Sequence, residues 1–271
     1  MFQTSLYFYA IAIDLIPLQP ADFLGAVGMM AIAVALSRWQ RLGLERELMV
    51  ATARTTVQLV VVGYLLWFVF DWKNPGAVLA VVAGMLAIAT METRNRIGKR
   101  IPNELWLLGG SMATSLAIVL TYTTVLVIRP AMWFDPQYLI PLAGIVLGNV
   151  MNGAALAGER LMQMVQTHRA EIETHLCLGA TPEQAIAAYR KAAIRTGLIP
   201  TLNAMMVVGV VTLPGIMTGQ LLSGINPLDA ASYQMLIMFM LAFSTLLTTV
   251  LVVQGLAKQC FNAAAQLVLP L

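Results

Sequence analysis

Charge is what this sequence has least of. Asp, Glu, Lys and Arg supply 11% of its 271 residues, less than half of the roughly 25% usual in soluble domains. Two cysteines, Cys177 and Cys260, cannot frame a disulfide-built fold, and no Pro-, Ser- or Gly-rich run marks a long linker. No Gly-x-x-x-x-Gly-Lys-Ser/Thr phosphate loop occurs, so the chain is not expected to hold ATP in the P-loop manner or to act as an enzyme by itself. No Lys or Arg precedes Arg38, which excludes the positively charged start of a secretory signal. What is present instead is 59% hydrophobic residues and a mean hydropathy of +0.79. Together these define an all-α, multi-pass protein of the cell membrane, read as a single transmembrane domain over residues 1–271.

A spanning helix needs about 20 apolar residues to cross about 30 Å of hydrocarbon. Seven stretches meet or approach this: Asp22–Ser37, Val50–Phe70, Gly76–Met91, Leu105–Ile128, Tyr138–Gly158, Gly197–Ser223 and Tyr233–Leu256. The first and third are short. Residues 1–21, apolar but interrupted by Asp14, Pro17 and Pro20, read as an interfacial piece on the outer side, with a short eighth span as the alternative.

Orientation follows from the basic residues of the short loops. Arg38, Arg41, Arg46, Arg94, Arg96, Lys99, Arg100, Arg160, Arg169, Arg190, Lys191, Arg195 and Lys258 fall in one set of connections, against Lys73 and Arg129 in the other. The N-terminus is therefore expected outside and the C-terminus inside. The net charge of +3 is membrane topology rather than a nucleic-acid footprint. All eight Glu fall beside the cytoplasmic connections and all five Asp toward the outer side. Asp suits turns and helix starts, which accounts for that division without an acidic vestibule.

No Asp, Glu, Lys, Arg or His lies in the middle of any assigned span, where each would cost about 2.5–3.5 kcal/mol or more. An ion-gradient-driven secondary transporter or channel, the rival reading, therefore lacks its usual relay. The mid-span polar groups are amides and hydroxyls, including Gln58, Asn149, Asn152, Asn203, Thr212, Thr218 and Ser244. They either line a path or bond between helices. Gly144 and Gly148 make a small-xxx-small pattern ahead of Asn149 and Asn152. In the sixth span Pro214 and Gly215 predict a kink, because proline removes a backbone hydrogen bond and clashes one turn back. Asn149, Asn152, Asn203, Pro214 and Gly215 are the candidate pathway residues. Of the 17 methionines, Met205, Met206, Met217, Met235, Met238 and Met240 cluster late in the chain. Thioethers bind soft ions, but with no Cys or His in those spans packing is the better account.

The longest polar stretch, Glu159–Thr196, is the expected cytoplasmic coupling region (residues 159–196). A polar helix over Arg160–Leu178 should end at Gly179 in a left-handed cap. Thr181-Pro182-Glu183-Gln184 then reads as an N-cap, a first-position proline and a capping box that open a short helix over Pro182–Ile194. Ala185, Ile186, Ala188, Tyr189, Ala192 and Ala193 give it an apolar stripe. Such a helix–Gly–helix module either docks a soluble partner or rests on lipid. His168, Glu171 and His175 share a helix face at spacings compatible with a transition metal, but no fourth ligand is fixed beside them, and no metal site is expected.

At this point a family resemblance emerges. Leu178-Gly179-Ala180-Thr181, the short helix and Arg195-Thr-Gly-Leu-Ile-Pro200 resemble the coupling loop of ABC importer permeases. With Arg54-Thr-Thr-Val-Gln58-Leu-Val-Val-Val-Gly63-Tyr64, Ile140-Pro141-Leu-Ala-Gly144-Ile-Val-Leu-Gly148-Asn149, Val211-Thr-Leu-Pro214-Gly215-Ile-Met-Thr-Gly219 and Gly224–Gln234, the chain from about Leu36 onward resembles the FetB (YbbM-type) ABC permease family. That family is described as iron exporters, with plant relatives tied to aluminium tolerance. The resemblance implies a homodimer served by a separate ATP-binding subunit that carries the ATP and Mg, with no cofactor on this chain. It also implies that Gly179, Ala180, Thr181, Pro182 and Glu183, with Arg190 and Arg195 as ionic contacts, seat in that subunit. The chain departs from the family at Asn203 and Met206, where many members carry Asp and Lys. Iron export is the implied activity, and a nucleotide sugar or an amphipathic solute is the alternative cargo.

Overall fold

The computed structural model describes residues 20–72, 74–98, 104–130, 132–262 and 264–268. The expected interfacial segment lies outside the described residues except for its last two positions. The described residues fold as α-helices: α1 (Pro20–Trp39), α2 (Glu45–Trp72), α3 (Pro75–Ile97), α4 (Glu104–Tyr122), α5 (Pro136–Thr167), α6 (Arg169–Cys177), α7 (Pro182–Ala185), α8 (Ala187–Val207), α9 (Gly215–Leu222) and α10 (Pro227–Gln259). A π-helical stretch, Thr123–Ile128, prolongs α4 and closes with Arg129 N–H bonded to the Thr124 carbonyl at 3.0 Å.

Five of these helices are long and apolar enough to cross a membrane: α2, α3, α4 with its π extension, α5 and α10. The protein is thus an all-α, multi-pass membrane protein. The first expected span is short, as its sequence indicated: the apolar helix Gly25–Trp39 is shorter than the other five. Another expected span differs. The stretch Gly197–Ser223 is not one kinked helix, because α8 stops at Val207 and α9 starts only at Gly215.

The residues divide into two compact units, one within Met1–Lys73 with Gln220–Ile225, the other within Asn74–Gly219 with Asn226–Leu271. In the first, α1 and α2 form an αα-hairpin. Ser37, 3% exposed, holds its turn: the hydroxyl accepts from Leu44 N–H at 3.2 Å and donates to Glu45 Oε1 at 3.3 Å. Arg41 and Gly43 turn the chain with φ of 54° and 73°. Most of α2 is exposed, as a helix facing lipid rather than a protein core should be.

The second unit is built around α5, which packs on α3, α4, α8 and α10. Its inward stripe is Ala143, Val146, Val150, Ala154, Ala157, Leu161 and Val165, each at most 1% exposed. These steps of three and four residues are the seam of a helix packed on several neighbours. Lipid tails are as apolar as Leu, so close approach rather than transfer from water must hold these helices. Sequence supplies it with glycine. A Cβ on Gly158 would stand 2.5 Å from Ile97 Cδ1, and one on Gly153 would stand 2.5 Å from Thr245 Cγ2 and 3.1 Å from the Gly197 carbonyl oxygen. The Gly144–Gly148 pattern contributes half of what it promised: Gly144 lies against Met85, whereas Gly148 has nothing within 4 Å.

Three helices open with the same device. Asn74, Asp135 and Asn226 each precede a proline and accept from the N–H two residues on, at 2.8, 3.0 and 2.9 Å. The side chain satisfies an orphan donor, and the proline fills a position that needs none. Asp135 is thus a cap, as the turn preference of Asp predicts. At the opposite end of this unit Arg94 reaches the buried Glu104 at 3.6 Å and Arg96 reaches Glu159 at 3.7 Å. The basic loops of α3, α5 and α10 therefore meet at one end, since Ile97, Gly158 and Leu256 are neighbours there.

Candidate coupling segment and substrate cavity

The segment between α5 and α8 folds as its residues dictate. After Thr167 the helix is interrupted at His168 and resumes as α6. Gly179, with φ of 91°, ends α6 in a Schellman motif. Its N–H bonds the Leu176 carbonyl and Ala180 N–H bonds the His175 carbonyl, both at 3.0 Å. Two residues later the capping box is complete: Gln184 N–H to Thr181 Oγ1 at 3.3 Å, Thr181 N–H to Gln184 Oε1 at 2.9 Å. The expected short helix is interrupted once, at Ile186, and then α8 runs on without a break through Gly197 to Val207.

Of the expected apolar stripe, Ala185, Ile186, Tyr189 and Ala193 are buried, while Ala188 is exposed and Ala192 half-buried. The opposite surface presents Leu178, 82% exposed, with Gly179, Thr181 and Glu183 exposed around it and Ala180 and Pro182 half-buried. This is a rigid knob with an apolar tip. Glu183 and Arg190 line a cavity of about 470 Å³ together with Lys258, Phe261 and Asn262 of the C-terminal end. Arg195 is exposed and lies outside that lining.

His168, Glu171 and His175 do not assemble a metal site; among the described residues no group of three His, Cys, Asp or Glu side chains is placed to hold an ion. His168 instead bonds Glu171 Oε2 at 3.2 Å and stacks on Tyr189 with ring centroids 5.1 Å apart. Burial, then the neighbouring Glu171 carboxylate, push the Tyr189 hydroxyl up to about 12. The hydrogen bond from Tyr189, followed by those of His168, holds Glu171 below the usual carboxylate range. The trio ties α6 to α8.

Further along α8 lies a second cavity, of about 510 Å³, between α5, α8, α9 and α10. Asn149, Thr201, Thr212, Pro214, Gly215 and Gln234 line it, with Ile145, Ile237, Met238 and Leu241 as its apolar wall. Three expected pathway residues, Asn149, Pro214 and Gly215, are thus brought together. The other two are not. Asn152 accepts from Arg96 Nη1 at 2.9 Å, and Asn203 is exposed on the far side of α8.

Gln234 was not legible as a site residue. It is 5% exposed, and its Oε1 is buried without a hydrogen-bond partner. An unmatched buried acceptor costs about 1–3 kcal/mol, so its retention needs a reason. The only sequence signal was its place at the end of the Gly224–Gln234 motif. A smaller cavity of about 210 Å³ adjoins, sharing Gln234 and Met238 and lined also by Met205, Met217, Met235 and Phe239.

The break that forms this site differs from a proline kink. Val210, Val211 and Thr212 all direct their N–H groups to the Val207 carbonyl, at 3.3, 3.0 and 3.3 Å, and Gly209 N–H bonds the Thr212 carbonyl at 2.9 Å. Gly209 has φ of 81°. The N–H groups of Gly209, Val210, Val211 and Thr212 thus all find partners within the loop itself, as irregular chain inside a membrane requires. Pro214 follows it and opens α9.

The described residues thus define a multi-pass helical membrane protein in which an exposed knob leads into a helix that lines a cavity. Residues 20–261 match the model of the family described as "Uncharacterised protein family (UPF0014)", and the chain belongs to that family. It is 52% identical over 253 residues to "UPF0014 membrane protein slr1647" of Synechocystis, covering 93% of this chain and 98% of that one. It is 33% identical over 242 residues to "UPF0014 membrane protein STAR2" of rice, covering 89% and 84%. It is 31% identical over 243 residues to "Probable iron export permease protein FetB" of Escherichia coli, covering 90% and 92%. No solved structure matches it.

Proposed function

We propose that this chain is the membrane-spanning permease subunit of an ABC transporter, working as a homodimer with a separate subunit that binds and hydrolyses ATP. The observation that carries the reading is the continuity of α8. Past a single interruption at Ile186, next to the exposed Gly179–Glu183 knob, one helix runs from Ala187 to Val207 and lines the cavity with Thr201 and Ala204. A soluble motor that moves the knob therefore acts on Thr201 and Ala204 in the cavity wall through the short joint at Ile186 and then through continuous helix.

In this reading Leu178 and the Gly179–Thr181 turn seat in a groove of the ATP-binding subunit. Glu183, Arg190 and the exposed Arg195 supply ionic contacts around it. The excess of basic residues in the loops on this side supports a cytoplasmic position for the knob, where ATP is. Metal export, as in the name of the E. coli relative, is the first candidate for the transported substrate, although the cavity brings no carboxylate, His or Cys to a bare ion.

The test is co-purification of the chain in detergent with the ATP-binding subunits of its cell, repeated with residues 179–195 scrambled. A stoichiometric ATPase that is lost on scrambling supports the reading. A chain that purifies alone both times transfers the assignment to a secondary transporter.

A further inference from the structure

Resting on the permease reading, we infer that the cavity between α5, α8, α9 and α10 takes a neutral amphipathic organic solute, with a hydroxyl-bearing head and an apolar body, rather than a bare metal ion. The lining holds two amides, Asn149 and Gln234, and two hydroxyls, Thr201 and Thr212, and no ionisable side chain. A divalent cation stripped of water needs anionic oxygens, imidazole or thiolate to replace its shell, and none is present. Uncharged donors and acceptors set in an apolar wall are what hold a neutral organic molecule, and a volume of about 510 Å³ falls within the roughly 300–1,000 Å³ of small-molecule sites.

Gln234 points to a ligand independently of the cavity's shape. Its side-chain oxygen is buried and unmatched, an acceptor waiting for an O–H or N–H. Asn149 donates to the Ile145 carbonyl at 3.0 Å, and no described residue donates to its Oδ1. A hydroxylated head brings the donor that the buried Gln234 oxygen lacks; a hard cation could also meet amide oxygens, but no anionic group stands beside them to offset the loss of its water. Pro214 and Gly215 add the start of α9, whose first N–H groups have no intrahelical partner and favour an acceptor oxygen. A hydroxyl answers both demands.

The adjoining cavity supplies the second half of the ligand. Met205, Met217, Met235, Met238 and Phe239 surround it, and thioether chains adapt to apolar groups of varied shape. Because Gln234 and Met238 belong to both cavities, a head bound at Gln234 leaves its apolar body among the methionines. Four thioethers also suit a soft monovalent cation, which gives the test its sharpest alternative.

The experiment is thermal unfolding of the full chain in nanodiscs with three separate probes: hexyl glucoside, ferrous iron and silver ion. It compares wild type with Gln234→Leu and with the milder Thr201→Val, which keeps the result readable if the first variant inserts poorly. Partition of the glucoside into lipid is common to all three proteins, so the difference between them reports the site. Hexyl glucoside should raise the midpoint of wild type and bind about tenfold more weakly to each variant, as expected for one lost hydrogen bond. Ferrous iron and silver should shift the three proteins equally or not at all. A glucoside shift identical in all three overturns the inference, as does an iron or silver shift confined to wild type. A glucoside effect in a chain that captures no ATPase would leave the site standing and remove the permease-subunit reading, so the two failures are distinct.

Discussion

Gly153 and Gly197 meet backbone to backbone. A Cβ on Gly197 would stand 2.5 Å from the Gly153 carbonyl oxygen, 2.9 Å from Ala157 Cβ and 2.9 Å from Thr249 Cγ2. Gly197 lies on α8 between the exposed Gly179–Glu183 knob and Thr201 in the cavity wall, so this contact is where α8 bears on α5 and α10. Gly197→Ala should cost about 1–3 kcal/mol through overpacking, read as a lower unfolding midpoint in detergent. Gly148→Ala, with nothing within 4 Å, should be neutral or stabilising by up to about 1 kcal/mol.

Thr181→Val removes the hydroxyl that accepts from Gln184 N–H. Loss of an N-cap costs about 1 kcal/mol, confined here to the knob. The expected outcome is normal insertion and an unchanged bundle, with weaker capture of the ATP-binding subunit in a pull-down. Gly179→Ala, forced into φ near 91°, should act in the same direction.

Pro214 is not what breaks the sixth span. The turn closes on the Val207 carbonyl and depends on the positive φ of Gly209. Pro214→Ala should therefore leave the break in place, at a cost below about 1 kcal/mol by the unfolded-state effect of proline. Gly209→Val puts a β-branched residue in a left-handed conformation and should lose more, about 1–2 kcal/mol. Ranking the two variants by unfolding midpoint decides between a proline kink and a glycine turn.

The Tyr189–Glu171–His168 cluster sets a pH window. Tyr189 is an acid whose folded value is raised from 10.0 to about 12. The folded protein therefore holds its proton more tightly than the unfolded chain does, and the contribution is complete below pH 10 and disappears between 10 and 12. Glu171 is depressed, so its contribution is present above its unfolded value of about 4.3 and fades as pH falls through the folded one. Hydrogen exchange at the α6–α8 junction should accelerate above pH 10 in wild type. In Tyr189→Phe that alkaline step should be missing, and an identical step in both proteins contradicts the assignment.

The helix ends around the knob were legible because they rest on local chemistry. The capping box of Thr181 and the left-handed Gly179 each depend on a few consecutive residues; the Asx-Pro starts at Asn74, Asp135 and Asn226, equally local, were not among the expected features. The membrane class followed equally directly from the shortage of charge. The break at 208–213 was not legible, because Val-Gly-Val-Val is as apolar as a helix and only the backbone reveals three N–H groups converging on one carbonyl. Asn152 and Asn149 looked equivalent on one helical face, yet Arg96 on α3 claims one and a cavity the other. Gly197 acquires its role from Gly153, Ala157 and Thr249, and Gln234 from a cavity shared with Asn149, Thr201 and Pro214, on other parts of the chain, which no local pattern records.

Motor-to-cavity coupling through α8 is tested most directly by ATP hydrolysis. The ATP-binding subunit that co-purifies with the chain is assayed alone, with the wild-type protein in nanodiscs, and with Gly179→Pro, which cannot adopt the φ of 91° that turns the knob. Hydrolysis that rises on adding wild type and stays at the subunit's own level with Gly179→Pro is the predicted result. Equal stimulation by both proteins would contradict the account.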